Sequence, residues 1–153
     1  MQLFDNSVNV ARLLTKKGHI GEDGLPTLSA FELRRDNVTK LPKESSLSLF
    51  QDYDNEDCYK LIGTLFSRLK VAYYCIMIVG DIRSFSEEDI LYDVIDDSHT
   101  HHKFHASIKV TDCKSVSNTI LGEPVNYEDI RVLKNLVSCV AKDNVVDILD
   151  KIK

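Results

Sequence analysis

From residue 103 to 110, apolar and polar side chains alternate without a break. Phe104, Ala106, Ile108 and Val110 fall on one side, and Lys103, His105, Ser107 and Lys109 on the other. Side chains two apart share a face of an extended chain, so this segment predicts a strand with one buried and one polar face. Shorter alternations predict strands over residues 28–34, 45–50 and 91–95. Residues 8–15 fit either period, and the glycines that soon follow at 18, 21 and 24 favour a strand. Residues 71–79 are apolar on both faces and rich in β-branched and aromatic side chains. They predict a central strand in which Cys75, Ile76, Met77 and Ile78 are all buried.

The period changes to that of a helix over residues 55–70. Cys58, Leu61, Ile62, Leu65, Phe66 and Leu69 recur at helical spacing and form one stripe. Asn55 is placed to cap this helix, and Glu56 and Asp57 suit its positive end. A second helix is predicted from Asn126 through Val140, with Ile130, Leu133, Leu136 and Val137 on its apolar side. A short capped turn is predicted at 86–89, and a final amphipathic turn carries Val145, Ile148, Leu149 and Ile152. Residues 34–44 and 111–123 read as loops. The order is strands, helix, strands, helices. It predicts one α+β domain over residues 1–153, a single mixed or antiparallel sheet of five or six strands with two main helices packed on it. The regular alternation of a Rossmann fold or a barrel is missing.

Charge narrows the function classes. The net charge is −5, which argues against a general nucleic-acid binder. Residues 44–97 carry 4 Lys and Arg against 12 Asp and Glu, whereas residues 1–43 carry 7 against 5. An acidic middle of this kind reads first as a solvated face, and in a sharper reading as a surface that docks a basic protein partner. The first residues, Met1-Gln2-Leu3-Phe4-Asp5, show neither a charged nor an apolar leader region. The longest apolar run, 71–79, is too short to span a bilayer as a helix. Both observations predict a cytoplasmic chain without a membrane segment. The cysteines at 58, 75, 113 and 139 form no CxxC pair, so a structural zinc site is not predicted. Cys58, Cys75 and Cys139 read as packing residues, and Cys113 as the one with an exposed setting.

Candidate chemistry gathers in His99-Thr100-His101-His102-Lys103-Phe104-His105, which holds four of the five histidines. A solvated loop accounts for this cluster in the simplest way. Two chemical readings stand beside it. His99 and His101, with Asp96 or Asp97, offer metal ligands, but no HExxH or matching pair completes the set, so no metal or other cofactor is predicted. His105 and Ser107 share a strand face, and His105-Ala106-Ser107-Ile108 resembles one half of the two-histidine phosphoesterase signature. In that family the histidine is the acid or base and the hydroxyl binds the oxyanion. No second His-x-Ser or His-x-Thr exists in the chain. A basic set, Arg12, Lys16, Lys17, His19, Arg34 and Arg35, flanks the glycine-rich loop, which matches neither a P-loop nor a dinucleotide fingerprint and reads first as solvated; with Arg83 the set also supplies candidates for anion binding. The catalytic candidates are therefore His105 and Ser107, and the anion-binding candidates Arg12, His19 and Arg83.

The order of segments Gly18-His19-Ile20, Asp23-Gly24-Leu25-Pro26-Thr27, Ser29-Ala30-Phe31, Leu47-Ser48-Leu49, Asp81-Ile82-Arg83 and His105-Ala106-Ser107-Ile108 resembles a loose group of short bacterial proteins of unknown function. The resemblance covers about residues 10–110. It implies that Phe31, Arg83 and His105 recur for a reason and carries no activity. The expected function is a small non-enzymatic interaction protein, an accessory of a toxin, immunity or phage-defence system. The alternative is a His105-dependent hydrolase or phosphoesterase-like enzyme that acts on an anionic substrate, for which His105, Arg83, Arg12 and His19 would have to converge.

Overall fold

The computed structural model describes residues 2–31, 46–84, 90–100, 102–113 and 140–152. One sheet organises them. Its strands are β1 (Gln2–Leu3), β2 (Asn9–Leu14), β3 (Ser46–Phe50), β4 (Tyr73–Ile78), β5 (Ile90–Asp96), β6 (His105–Cys113) and β7 (Val145–Asp147). They run in the order β1-β5-β6-β3-β2-β4-β7, and every pairing is antiparallel. Six of them have three residues or more, and β1 adds a two-residue edge. The helices are α1 (Glu56–Leu65), α2 (Val79–Ser84) and α3 (Leu149–Ile152). The fold is α+β, as the pattern predicts. The predicted 126–140 helix, the 34–44 loop, the turn at 86–89 and Cys139 lie outside the described residues, save Val140, which is buried.

The two faces of the sheet bury different sets. Val10, Leu14, Leu47, Leu49, Cys75, Met77, Val94, Ala106 and Ile108 point to one face. There they meet Ala30 and Phe31 of a 3-10 turn, Leu28–Phe31, and Val79 and Ile82 of α2. On the opposite face Ala11, Phe50 and Tyr74 pack against Cys58, Tyr59 and Ile62 of α1, with Leu149 and Ile152 of α3 at the margin. Burial of each such side chain stabilises by about 1.5–3 kcal/mol. Asn55 caps α1 through its side-chain oxygen, which accepts from the Asp57 amide at 2.8 Å. Gly80 opens α2 where the backbone passes close to Asn6. A Cβ there would lie 3.0 Å from the Asn6 carbonyl oxygen, which accepts from the Gly80 amide at 2.8 Å.

Several elements depart from the pattern, each for a local reason. Residues 28–31 form a 3-10 turn in place of the predicted strand. The Thr27 hydroxyl donates to the Gly18 carbonyl at 2.8 Å and also meets the Ser29 hydroxyl, and such local bonds compete with extension. Helix α1 stops at Leu65 rather than at 70, because the chain turns at Arg68 (φ 61°) to enter β4. Leu65 and Phe66, expected on the apolar stripe, are 53% and 40% exposed. In β4, Cys75 and Met77 are buried as predicted, but Ile76 is half-buried and Ile78 is 40% exposed. Among the described residues, α1 and α3 supply the helical cover on their face. Phe104 leaves the face it was assigned with Ala106 and Ile108 and packs against the opposite cluster. Residues 145–147 form a short edge strand before the expected final helical turn.

Candidate functional site

Register brings the chemistry together. Strand β6 lies between β3 and β5, with Ser48 opposite Ser107, Phe50 opposite His105, and Ile95 opposite Ser107. Asp97 follows the last paired residue of β5, Asp96. The chain then turns back through His99 and His102, whose amides and carbonyls bond each other at 3.1 and 2.9 Å. This tight turn returns His105 beside Asp97. Alternation puts Ser48, His105, Ser107 and Asp97 on the face opposite Leu47, Leu49, Ala106 and Ile108.

The contacts form a chain. His105 Nδ1 lies 2.5 Å from Asp97 Oδ1, and its Nε2 lies 3.2 Å from Ser48 Oγ. The Ser107 hydroxyl donates to Asp97 Oδ2 at 2.5 Å. A carboxylate only accepts, so Nδ1 is the donor toward Asp97. In the neutral ring Nε2 then carries the lone pair, and Ser48 donates its proton to it. Ser48 is exposed, while the side chains of His105 and Asp97 are 23% and 28% exposed. An accessible hydroxyl, an imidazole base and an orienting carboxylate are the three parts of an activated serine nucleophile.

The surroundings hold this chain in place. Gln51 Nε2 donates to Asp96 Oδ1 at 2.7 Å and to the His105 carbonyl at 2.9 Å. Hydrogen bonding, from Ser98 above all and also from Gln51, holds the Asp96 carboxyl below its ordinary value. The His102 ring stands 5.2 Å from Phe50 and 5.1 Å from His105, centroid to centroid. Burial first, then the neighbouring His105 and His99, lowers the His102 pKa. That disfavours a charge on His102 beside the base. A cavity of about 360 Å³ is lined by Val8, Asn9, Asp52, Tyr53, Asp54 and Asn55, and none of the four clustered residues lines it. Among the described residues no group of three or more His, Cys, Asp and Glu is placed to hold a metal ion.

The predicted residues divide. His105 and Ser107 share the site. Arg12 leaves the sheet on the other face, with Val10 and Leu14, where its Nε donates to the Ala30 carbonyl at 3.0 Å and a terminal nitrogen to the Ser48 carbonyl at 2.9 Å. It ties the 3-10 turn to β3 where β2 and β3 share a single register pair, Ala11 with Phe50. His19 lies at a 3-10 turn, its Nδ1 buried without a hydrogen-bond partner, and burial followed by Arg12 and Lys16 lowers its pKa. Arg83 binds Asp93 Oδ1 at 2.7 Å and Asn6 Oδ1 at 2.6 Å. The four residues needed for an anion pocket thus do not converge. His101 and the Cys113 side chain lie outside the described set. Burial raises both other described thiols, that of Cys75 to about 12, so neither is a nucleophile.

Sequence reasoning missed two members. Ser48 read only as the polar alternate of a strand, and Asp97 only as a metal ligand. Their partnership with His105 depends on which strands are neighbours, a non-local fact. No family model matches the chain, and no curated protein or solved structure matches it.

Proposed function

We propose that this chain is a serine hydrolase in which Ser48 is the nucleophile, His105 the general base and Asp97 the residue that orients it. The observation that carries the reading is the unbroken chain from Asp97 Oδ1 through His105 to Ser48 Oγ, with contacts of 2.5 and 3.2 Å. In the reaction Ser48 Oγ bonds the acyl carbon of an ester while its proton passes to His105 Nε2. The leaving alcohol takes that proton, and water then releases the acid by the reverse route. Arg12 and Arg83 have no part in this scheme, so an anionic substrate loses its support and an uncharged ester is the favoured class. The buried cysteines Cys58 and Cys75, free thiols in the fold, suit the reducing cytoplasm. Among the described residues no helix is long and apolar enough to cross a membrane.

A fluorophosphonate probe tests the reading. Folded protein is expected to label on Ser48, located by peptide mass spectrometry, and Ser48→Ala and His105→Ala are expected to lose the label. Absence of labelling, or equal labelling in Ser48→Ala, overturns the hydrolase. A protein-binding module without catalysis, an accessory of a toxin, immunity or defence system, is the second reading. It is favoured by Leu65 and Phe66, exposed side by side at the end of α1. Loss of a host partner in a reciprocal pull-down with Leu65→Asp and Phe66→Asp, but not with Ser48→Ala, supports it.

A further inference from the structure

We propose that Ser107 is a positioning residue, which holds the Asp97 carboxylate in the one orientation that keeps His105 a base; this rests on the hydrolase reading. Ser107 is 0% exposed, and tyrosines aside it is the one buried polar residue among the described residues. A buried hydroxyl persists where it has a partner, and here that partner is Asp97 Oδ2 at 2.5 Å. A second observation gives the bond its purpose. Asp97 stands one residue beyond the last register pair of β5, Asp96 with Ala106, so the β-ladder does not fix its backbone. Its carboxylate is a quarter exposed and free to rotate toward water unless both oxygens are held. Oδ1 meets His105 and Oδ2 meets Ser107, which sets the plane of the carboxylate. Ser107 and His105 stand two apart on one strand, so a single rigid element aims both at the same group. Ser48, opposite Ser107 in register, completes the arrangement from β3.

The hydroxyl thus acts through Asp97 and not on a substrate. It differs from the oxyanion role that the phosphoesterase-like motif implies, because its proton already points to a carboxylate. A Ser107→Ala variant releases Oδ2. Asp97 then samples solvent, its field at the imidazole weakens, and the proton on His105 no longer prefers Nδ1.

The test uses the 153-residue protein labelled with 15N-histidine, followed by NMR, beside the probe assay. Wild type is expected to show His105 as the Nδ1-protonated tautomer. Ser107→Ala is expected to show a mixture of tautomers and labelling slowed by roughly ten- to a hundred-fold, as small misplacements of catalytic groups do. The pH profile of labelling should change as well, and Ser107→Thr, which keeps the hydroxyl, should restore all readings. Should Ser107→Ala fail to fold, Ser107→Cys, with its weaker donor, carries the same comparison. A Ser107 variant with the wild-type tautomer, labelling rate and pH profile overturns the positioning role, even if its stability falls. Failure of wild type to label overturns the hydrolase instead, and the NMR comparison still decides what Ser107 does to Asp97.

Discussion

Asp97→Asn is the sharpest perturbation of the cluster, because it keeps the shape and removes one acceptor. Asp97 receives two charge-assisted hydrogen bonds, from His105 Nδ1 and from Ser107, each at 2.5 Å. An asparagine cannot serve both. With its oxygen toward His105, its amide group faces the Ser107 hydroxyl, which must reverse and leave its own proton without that acceptor. With its amide toward His105, the imidazole must carry its proton on Nε2 and loses its lone pair toward Ser48. Charged bonds contribute about 1.5–3 kcal/mol and neutral ones about 0.5–1.5. Two bonds weakened by about 1 kcal/mol each give about 2 kcal/mol, and the partial exposure of Asp97 lowers this to about 1–2 kcal/mol. For a chain of this length that is a fall in Tm of roughly 2–8 °C. Equilibrium urea unfolding and calorimetry at pH 7.5 measure it, and fluorophosphonate labelling should drop in parallel. A loss below about 0.5 kcal/mol, or a gain, refutes the argument that Asp97 is bonded at both oxygens.

Three further outcomes follow from the packing. Met77→Ala, fully buried, should cost about 2–5 kcal/mol in urea unfolding, while Ile78→Ala, 40% exposed, should cost under about 1 kcal/mol; equal costs would contradict the one-sided cover of β4. Gly63→Ala should destabilise although alanine favours helix by about 1 kcal/mol, because its Cβ would lie 2.9 Å from the Ile152 carbonyl oxygen and force α3 away; a raised Tm refutes that contact. Stability should fall as pH drops through about 6.5, since burial lowers the His102 and His19 pKa values in the folded chain and the unfolded chain binds those protons first. Urea midpoints at pH 7.5 and 5.5 read this, His102→Gln should flatten the difference, and a higher midpoint at pH 5.5 would reverse the sign.

Local pattern specified most of the strands. Period-2 alternation at residues 46–50 and 105–110 and the two-sided apolar run at 73–78 mark β3, β6 and β4, because each side chain reports its own burial. Asn55 and the acidic first turn likewise announce α1. The signal fails where burial depends on a distant element. Leu65, Phe66 and Ile78 are as apolar as their buried neighbours, yet among the described residues no helix covers them. Residues 28–31 alternate as a strand does, and the Thr27 and Ser29 hydroxyls, with Pro26 before them, turn them into a 3-10 helix.

For the site the division is sharper. The sequence by itself determined that His105 and Ser107 share one face of one strand, since two residues of extended chain allow nothing else. It also placed Ser48 on the polar side of its own strand and Asp97 at the end of another. Only the tertiary structure decided that these three strands are neighbours, β5-β6-β3, in a register that sets Ser48 and Asp97 on either side of the His105 ring. The same order sent Arg12 to the opposite face and gave Arg83 to Asp93 and Asn6. Strand order joins residues 48, 97 and 105 across gaps that no local period spans. It follows from how the described elements bury both faces of one sheet, and so the meeting of an alcohol, a base and a carboxylate is a property of the fold.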